Sequence, residues 1–249
     1  MSIVTGTGNY ITNSAAPVVT TGFPLSVGAW IMIDTIGTEY FFGVADPATT
    51  NQYFRFGVNS SGNTITIAVS AGGTAIATTT ATGITTGAWA YVVGRYISST
   101  NRRVTFYDSA TGSIVHANGV TSRAPTGFTK MGIGVLPISS ISNEFKGKIA
   151  EFWWSQTDIQ PDGGQLDNTM ILQLAQCGPF SVPHIGGSLK EYHSFRKGLV
   201  SDRFEPDEVA AAGNLQTWDI TGSPTVGPTV PYLQPNYARP RNQSRFVIV

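Results

Sequence analysis

Between Phe23 and Trp154 one grammar repeats: an alternating apolar or aromatic run, a cluster of Gly, Asn, Asp, Ser or Thr, then another run. Residues 64–69 show it most plainly, with Ile65, Ile67 and Val69 on one side of the period and Thr64, Thr66 and Ala68 on the other. Successive side chains of a strand point to opposite faces, so this is a strand with one apolar face. Ser61-Gly62-Asn63 supplies turn residues just before it and joins it to 53–58 as a hairpin. The same pattern predicts strands over 25–33, 39–45, 87–96, 103–107, 130–136 and 145–154, with Asp108 to Gly112 turning into a short return strand that ends near His116.

The period changes once. Leu166, Met170 and Leu174 recur every four residues with Ile171 and Ala175 beside them, and Gly178-Pro179 supplies a stop, which predicts an amphipathic helix over 165–176 packed on the strands. After Pro179 the patterning weakens to a strand over 189–195, another over 215–220, and a helical turn or loop over 202–213. From Gly222 onward Pro224, Pro228, Pro231, Pro235 and Pro240 interleave with Tyr232, Tyr237 and Phe246, a spacing that forbids regular helix and predicts an extended arm. The expected fold is all-β: an antiparallel two-sheet sandwich with one short α-helix and an extended C-terminal arm. Its parts are the sandwich with packed helix over 1–178, an extension completing or packing on it over 179–221, and the arm over 222–249.

The run Phe23-Pro24-Leu25-Ser26-Val27-Gly28-Ala29-Trp30-Ile31 resembles the opening strand of the laminin G-like and concanavalin A-like superfamily, and 87–96, with Trp89 leading Tyr91-Val92-Val93, resembles its tryptophan-led strand. Asn101 to Asp108 sits where such domains carry a strand ending in an Asp-Gly turn, with Ser109 in place of the glycine. Phe145-Lys146-Gly147-Lys148-Ile149-Ala150-Glu151-Phe152 is similar to the strand that precedes an acid-rich turn and a helix, an order that 158–176 keeps. The resemblance covers 8–176. It implies a jelly roll of two stacked sheets in which the strands of Trp30, Trp89 and Phe145 contribute to the core. The remainder resembles extensions of phage and prophage proteins.

Composition adds constraints on partners. A chain of 249 residues can bury one full sandwich core. Only 12% of its residues are charged, where an isolated surface normally carries about 25–35%, so part of the surface is expected to be covered by neighbours. Fifteen basic residues balance fifteen acidic ones, which leaves no field to draw the chain onto nucleic acid or a membrane, and neither is expected as a partner. Residues 1–10 lack a basic region followed by an apolar stretch, so secretion by a signal peptide is not expected. The resemblance to phage and prophage proteins implies a virion assembled in the bacterial host cytoplasm as the setting. The single Cys177 cannot form an internal disulfide and reads as a small core residue.

Glucanases of the resembled fold set Glu-x-Asp-x-x-Glu on one strand, one carboxyl as nucleophile and another as acid, and no predicted strand has that pattern. Glu205-Pro206-Asp207-Glu208 lies in a proline-broken stretch and reads as solvated surface, so a hydrolase would have to rest on Glu151 or Asp158. His116, His184 and His193 lack metal-ligand spacing, and no Gly-x-Ser-x-Gly elbow is present. No enzyme and no cofactor are expected; the resemblance leaves calcium open through Asp34, Asp46 and Asp108 at strand ends. Trp153, Trp154 and Trp218 are candidates for an aromatic glycan platform, but consecutive Trp153 and Trp154 must face opposite ways, so one is core. The other is a sugar platform, a protein contact or covered by the helix. In the arm, Tyr232, Tyr237, Arg239, Arg241, Arg245 and Phe246 are candidates for partner binding, with no acid after Asp219 to offset the arginines. The function expected from these features is that of a non-enzymatic virion protein, a capsid decoration or minor head or tail component that contacts other virion proteins and forms homo-oligomers. The alternative is a lectin-like module that binds cell-surface glycan for host recognition.

Overall fold

The computed structural model describes residues 2–13, 22–49, 51–59, 63–72, 76–138, 141, 143–160, 162–179, 189–193, 218–222 and 225–227. Strand alternation resolves there into two antiparallel sheets stacked face to face. The first has eight strands in the order β10 (Ile114–Gly119), β9 (Asn101–Asp108), β8 (Trp89–Ser98), β3 (Leu25–Ile33), β12 (Gly147–Ser155), β1 (Ser2–Thr5) and β15 (Thr225–Gly227), with β13 (Leu189–His193) also paired to β12. The second has seven: β14 (Trp218–Thr221), β2 (Tyr10–Asn13), β11 (Lys130–Ile133), β4 (Glu39–Ala45), β5 (Gln52–Asn59), β6 (Thr64–Ala71) and β7 (Ile76–Thr82).

The apolar sides of these strands meet in the main core. Val27, Ala29 and Ile31 of β3, Val92 of β8 and Phe152 and Trp154 of β12 face Phe42, Phe54, Phe56 and Ile67 of the second sheet. Aromatic edges lock the layers, with Phe42 and Phe152 centroids 5.5 Å apart and Phe54 and Tyr96 4.6 Å apart.

A second core lies on the other side of the first sheet, beneath α1 (Asn168–Cys177). Trp30, Tyr91, Val93 and Trp153 project there and are covered by Ile159 and Leu166 from the preceding loop and by Ile171 and Leu174 of the helix. Burying an apolar side chain of that size contributes about 1.5–3 kcal/mol. Asp167 caps the helix by accepting the Thr169 N–H at 2.8 Å, and Gly178, at φ 76, ends it by donating to the Leu174 carbonyl. Trp30 Nε1 donates to the Ala175 carbonyl at 3.1 Å, pinning the last turn to the sheet.

One irregularity decides how β12 presents its side chains. Ala150 pairs with Trp30 but Trp153 pairs with Gly28, so two residues of β12 oppose one of β3, and Glu151 takes the extra place at φ 50. The bulge resets the alternation: Ile149, Phe152 and Trp154 face the main core, while Ala150 and Trp153 face the helix. Gly28 makes room for the Trp153 ring, since a Cβ there would lie 2.5 Å from it.

Several boundaries differ from the sequence pattern. The strand predicted to run to residue 136 leaves the sheet after Ile133, and β1, β2, β7 and β15 were not foreseen. Within the predicted arm, Thr225–Gly227 forms an edge strand between Pro224 and Pro228, a position where neighbouring prolines interrupt no central ladder. The arm residues Tyr232, Tyr237, Arg239, Arg241, Arg245 and Phe246, the stretch 202–213 and His184 lie outside the described residues. No described helix is long and apolar enough to cross a membrane.

Candidate binding face on the second sheet

The helix packs on the outer side of the first sheet, and the second sheet also has a side turned away from the main core, open at its β7 edge. The strand register places its outward side chains in rows. Tyr40, Gly57, Thr66 and Thr80 lie abreast across β4, β5, β6 and β7; beside them run Gly43, Arg55, Ala68 and Thr78, and then Ala45, Tyr53, Ser70 and Ile76. A register shift between Tyr40 and Phe42 sends both Phe41 and Phe42 inward and leaves Tyr40 outward, in line with the β5 side chains.

Arg55 is the centre of this face. Its guanidinium carbon lies 4.7 Å from the Tyr40 ring centroid and 5.4 Å from that of Tyr53, a cation–π arrangement on two sides, and its Nη1 donates to the Tyr40 hydroxyl at 2.6 Å. Its carbonyl accepts from the hydroxyl of Tyr96, which reaches across the core from β8 and fixes the backbone beneath the side chain. Arg55 is half-buried, its Nε is closed off from water without a partner, and it forms no ion pair with any described acid. One wall is the loop 134–138, whose Leu136 and Ile138 pack with Tyr40, Ala45 and Tyr53. Gly43 is what admits that loop, because a Cβ there would stand 2.8 Å from the Leu136 Cα. Burial pushes the Tyr53 phenol up, against the pull of the Arg55 charge, so its hydroxyl stays protonated at neutral pH and can donate as well as accept. Thr78, Thr80 and Thr82 are exposed along the edge. Tyr40 and Tyr53 are themselves buried, as are Ala45, Thr66, Ala68 and Ser70, so what this face presents is the half-buried guanidinium and the exposed threonine hydroxyls of β7, with no carboxylate beside them.

Residues 5–162 match a laminin G-like domain of the concanavalin A-like lectin/glucanases superfamily. This chain belongs to that superfamily. Solved structures share the arrangement of its sheets. A candidate carbohydrate-binding protein of Bacteroides ovatus is 15% identical with a TM-score of 0.53, over 91% of this chain and 62% of that one. The enzymatically active domain of tailspike protein 2 from bacteriophage CBA120 is 11% identical with a TM-score of 0.51, over 76% of this chain and 28% of that one. The LG1-3 region of the laminin alpha2 chain is 11% identical with a TM-score of 0.50, over 63% and 31%. This chain thus spans less than two thirds of each, and at such identities the likeness is one of fold. No curated protein sequence matches.

Membership in a lectin and glucanase superfamily makes the placement of the acids informative. Asp158 is held by Arg95, and buried Glu151 accepts from the Tyr192 hydroxyl. The three aspartates considered for calcium are not brought together. Asp34 pairs with Lys148, Asp46 accepts from Ala48 N and Thr49 Oγ1 within its own turn, and Asp108 accepts from the N–H groups of Thr85, Ala110 and Thr111. Among the described residues no three His, Cys, Asp or Glu side chains are grouped to hold a metal ion.

The tryptophan platform is corrected. Trp153 and Trp154 do face opposite ways, but each is 0% exposed, one under the helix and one between the sheets. Trp218 opens β14, and its side chain lies outside the described residues. His116 sits between Thr105 Oγ1 at 3.0 Å and Asn168 Oδ1 at 2.8 Å and lines a cavity of about 30 Å³ with Arg103, Asn118 and Gln165, the space of a water molecule and not of a sugar ring. His193 is buried against Phe152, and Cys177 is half-buried at the helix end.

Sequence reasoning passed over Tyr40, Tyr53 and Arg55. The signal was present in Tyr53-Phe54-Arg55-Phe56, whose alternation puts Tyr53 and Arg55 on the side away from the core.

Proposed function

We propose that this domain is a non-enzymatic glycan-binding module whose sugar contacts are made on the outer face of the second sheet, around Tyr40, Tyr53 and Arg55. The observation that carries this reading is the half-buried guanidinium set against two buried tyrosine rings and bonded to one of their hydroxyls, on the side of the second sheet turned away from the main core. The two buried rings hold the guanidinium in place, and the guanidinium and the exposed hydroxyls of Thr78 and Thr80 serve a sugar's oxygens. Membership in a lectin-containing superfamily and likeness to a candidate carbohydrate-binding protein support it. Hydrolysis of a glycosidic bond needs two carboxyl groups facing each other across the substrate, and Glu151 and Asp158 are instead engaged by Tyr192 and Arg95.

The test is a glycan array with the full chain, followed by titration of the best ligand against wild type and Arg55→Ala, with thermal melting to verify the fold. Saturable binding that weakens at least about tenfold in the variant supports the site. Binding unaffected by the change would move the site elsewhere, and no glycan binding at all would defeat the function.

A virion structural role is the second reading, favoured by the 12% charged composition, which suits a surface covered by other virion proteins or further copies of the chain. Co-sedimentation of the protein with assembled particles is its test. The two readings meet in a host-surface glycan receptor on a particle.

A further inference from the structure

Building on the glycan-binding reading, we infer that the face around Arg55 selects a sugar bearing a carboxylate, with Arg55 as the residue that determines the preference.

Four arginines of the sandwich differ in what their charge meets. Arg95, whose side chain is 1% exposed, donates from Nε and Nη2 to the two oxygens of Asp158 at 2.7 and 2.8 Å and from Nη1 to the Gly164 carbonyl at 2.6 Å. Its charge is neutralised and its donors are used. Arg103 donates from Nε to the Gly163 carbonyl at 2.9 Å beside the helix. Arg102 lacks an acid too, but it is buried on the side of β9 shared with Val104 and Phe106, between the sheets, and gives its Nη1 to the carbonyls of Ser99 and Thr121. Arg55 alone among these four lies on an outer sheet face with no carboxylate and no carbonyl acceptor, bonded only to a neutral phenol.

The sign of the site follows from its neighbours. Across β4, β5, β6 and β7 the outward residues around Arg55 are Tyr, Gly, Ala, Ser, Thr and Ile, without an acid. Glu39, next to Tyr40 in sequence, is occupied by the Lys146 N–H at 2.8 Å and faces the Lys146 ammonium at 3.8 Å. A neutral sugar presents many hydroxyl donors and is best met by carboxylate or amide acceptors, which this face lacks. A carboxylated sugar brings the acceptor with it and neutralises the Arg55 charge, through hydrogen bonds stronger than those between neutral groups; Lys130, exposed in the same row as Ala45 and Tyr53, adds a second positive charge on this side of the sheet. Ala68, directly across from Arg55, adds only a methyl group on the β6 side.

The experiment measures binding of the full chain to oligosaccharides ending in a uronic or sialic acid and to the same oligosaccharides with the carboxyl reduced to an alcohol. A sulfated oligosaccharide and a poly-glutamate peptide run alongside. Wild type should favour the carboxylated sugar over its reduced counterpart by at least about tenfold, the factor of one hydrogen bond to a charged group. Arg55→Gln should erase the preference, Arg55→Lys should keep part of it, and Arg103→Gln, far from the face, should leave it intact. Equal binding of carboxylated and reduced forms overturns the inference. So does a preference that survives Arg55→Gln, or tighter binding of the sulfated sugar or the peptide. Binding confined to neutral glycans overturns it while the glycan-binding function stands; binding to no glycan defeats both. Should Arg55→Gln melt early, the wild-type comparison of acid and reduced ligands and the Arg55→Lys variant decide.

Discussion

Removing the carboxylate of Asp158 isolates a buried charge and gives the sharpest test of how the sandwich is held together. Arg95 projects from β8 toward the loop before α1, and Asp158 grips it through both carboxylate oxygens. In Asp158→Ala the guanidinium keeps only the Gly164 carbonyl at 2.6 Å and that of Gln160 at 3.4 Å. Water cannot take the vacated place freely, because the Arg95 side chain is 1% exposed. Breaking a buried pair from one side costs about 3–5 kcal/mol, most of it the penalty of the stranded charge. In a chain of this size each kcal/mol is worth about 2–4 °C in Tm, so the melting point should fall by roughly 6–20 °C. Urea denaturation followed by circular dichroism gives the free energy directly. The double variant Arg95→Met with Asp158→Ala removes the stranded charge and should recover most of the loss. A single-variant cost below about 1 kcal/mol, the range of a solvated surface pair, would refute the reasoning. A double variant no more stable than Asp158→Ala would refute it equally.

Two further outcomes are expected. Gly28→Ala drives a methyl group to 2.5 Å from the Trp153 ring and should cost about 1–3 kcal/mol in denaturation while shifting tryptophan fluorescence; a neutral effect would mean that the ring can move aside. Burial raises the Glu39 carboxyl above its ordinary 4.5, against the opposing pull of the Lys146 N–H and ammonium. The folded state therefore holds that proton more tightly than the unfolded chain, and stability declines as pH rises from 4.5 through the raised value. Glu39→Gln keeps an oxygen for the Lys146 N–H and should gain stability relative to wild type across that window, as measured by Tm at stepped pH; parallel profiles for the two proteins would contradict this.

The central strands were legible because both period and length were available: β6 and β3 each alternate over eight or nine residues, and α1 repeats every four. β1 and β2, of four residues each, are too short to establish a period, and β7 reads Ile-Ala-Thr-Thr-Thr-Ala-Thr, where threonine occupies both faces. The opposed faces of Trp153 and Trp154 followed from alternation alone. That both are buried did not, since it depends on the helix covering one side and on the Glu151 bulge restoring Trp154 to the core. The candidate site was the least legible part. Tyr40 joins Tyr53 and Arg55 only through the register across β4 and β5 and the irregularity at Phe41, which pairing in space determines and spacing in sequence does not.

The placement of β1 and β2 makes both sheets depend on distant parts of the chain. β1 lies between residues 147–149 of β12 and residues 225–227, and β2 between residues 132–133 of β11 and residues 218–221. A chain shortened ahead of Trp218 would strip a hydrogen-bonding neighbour from each and leave two raw borders of unpaired amides and carbonyls, the condition in which β-proteins recruit foreign strands and aggregate.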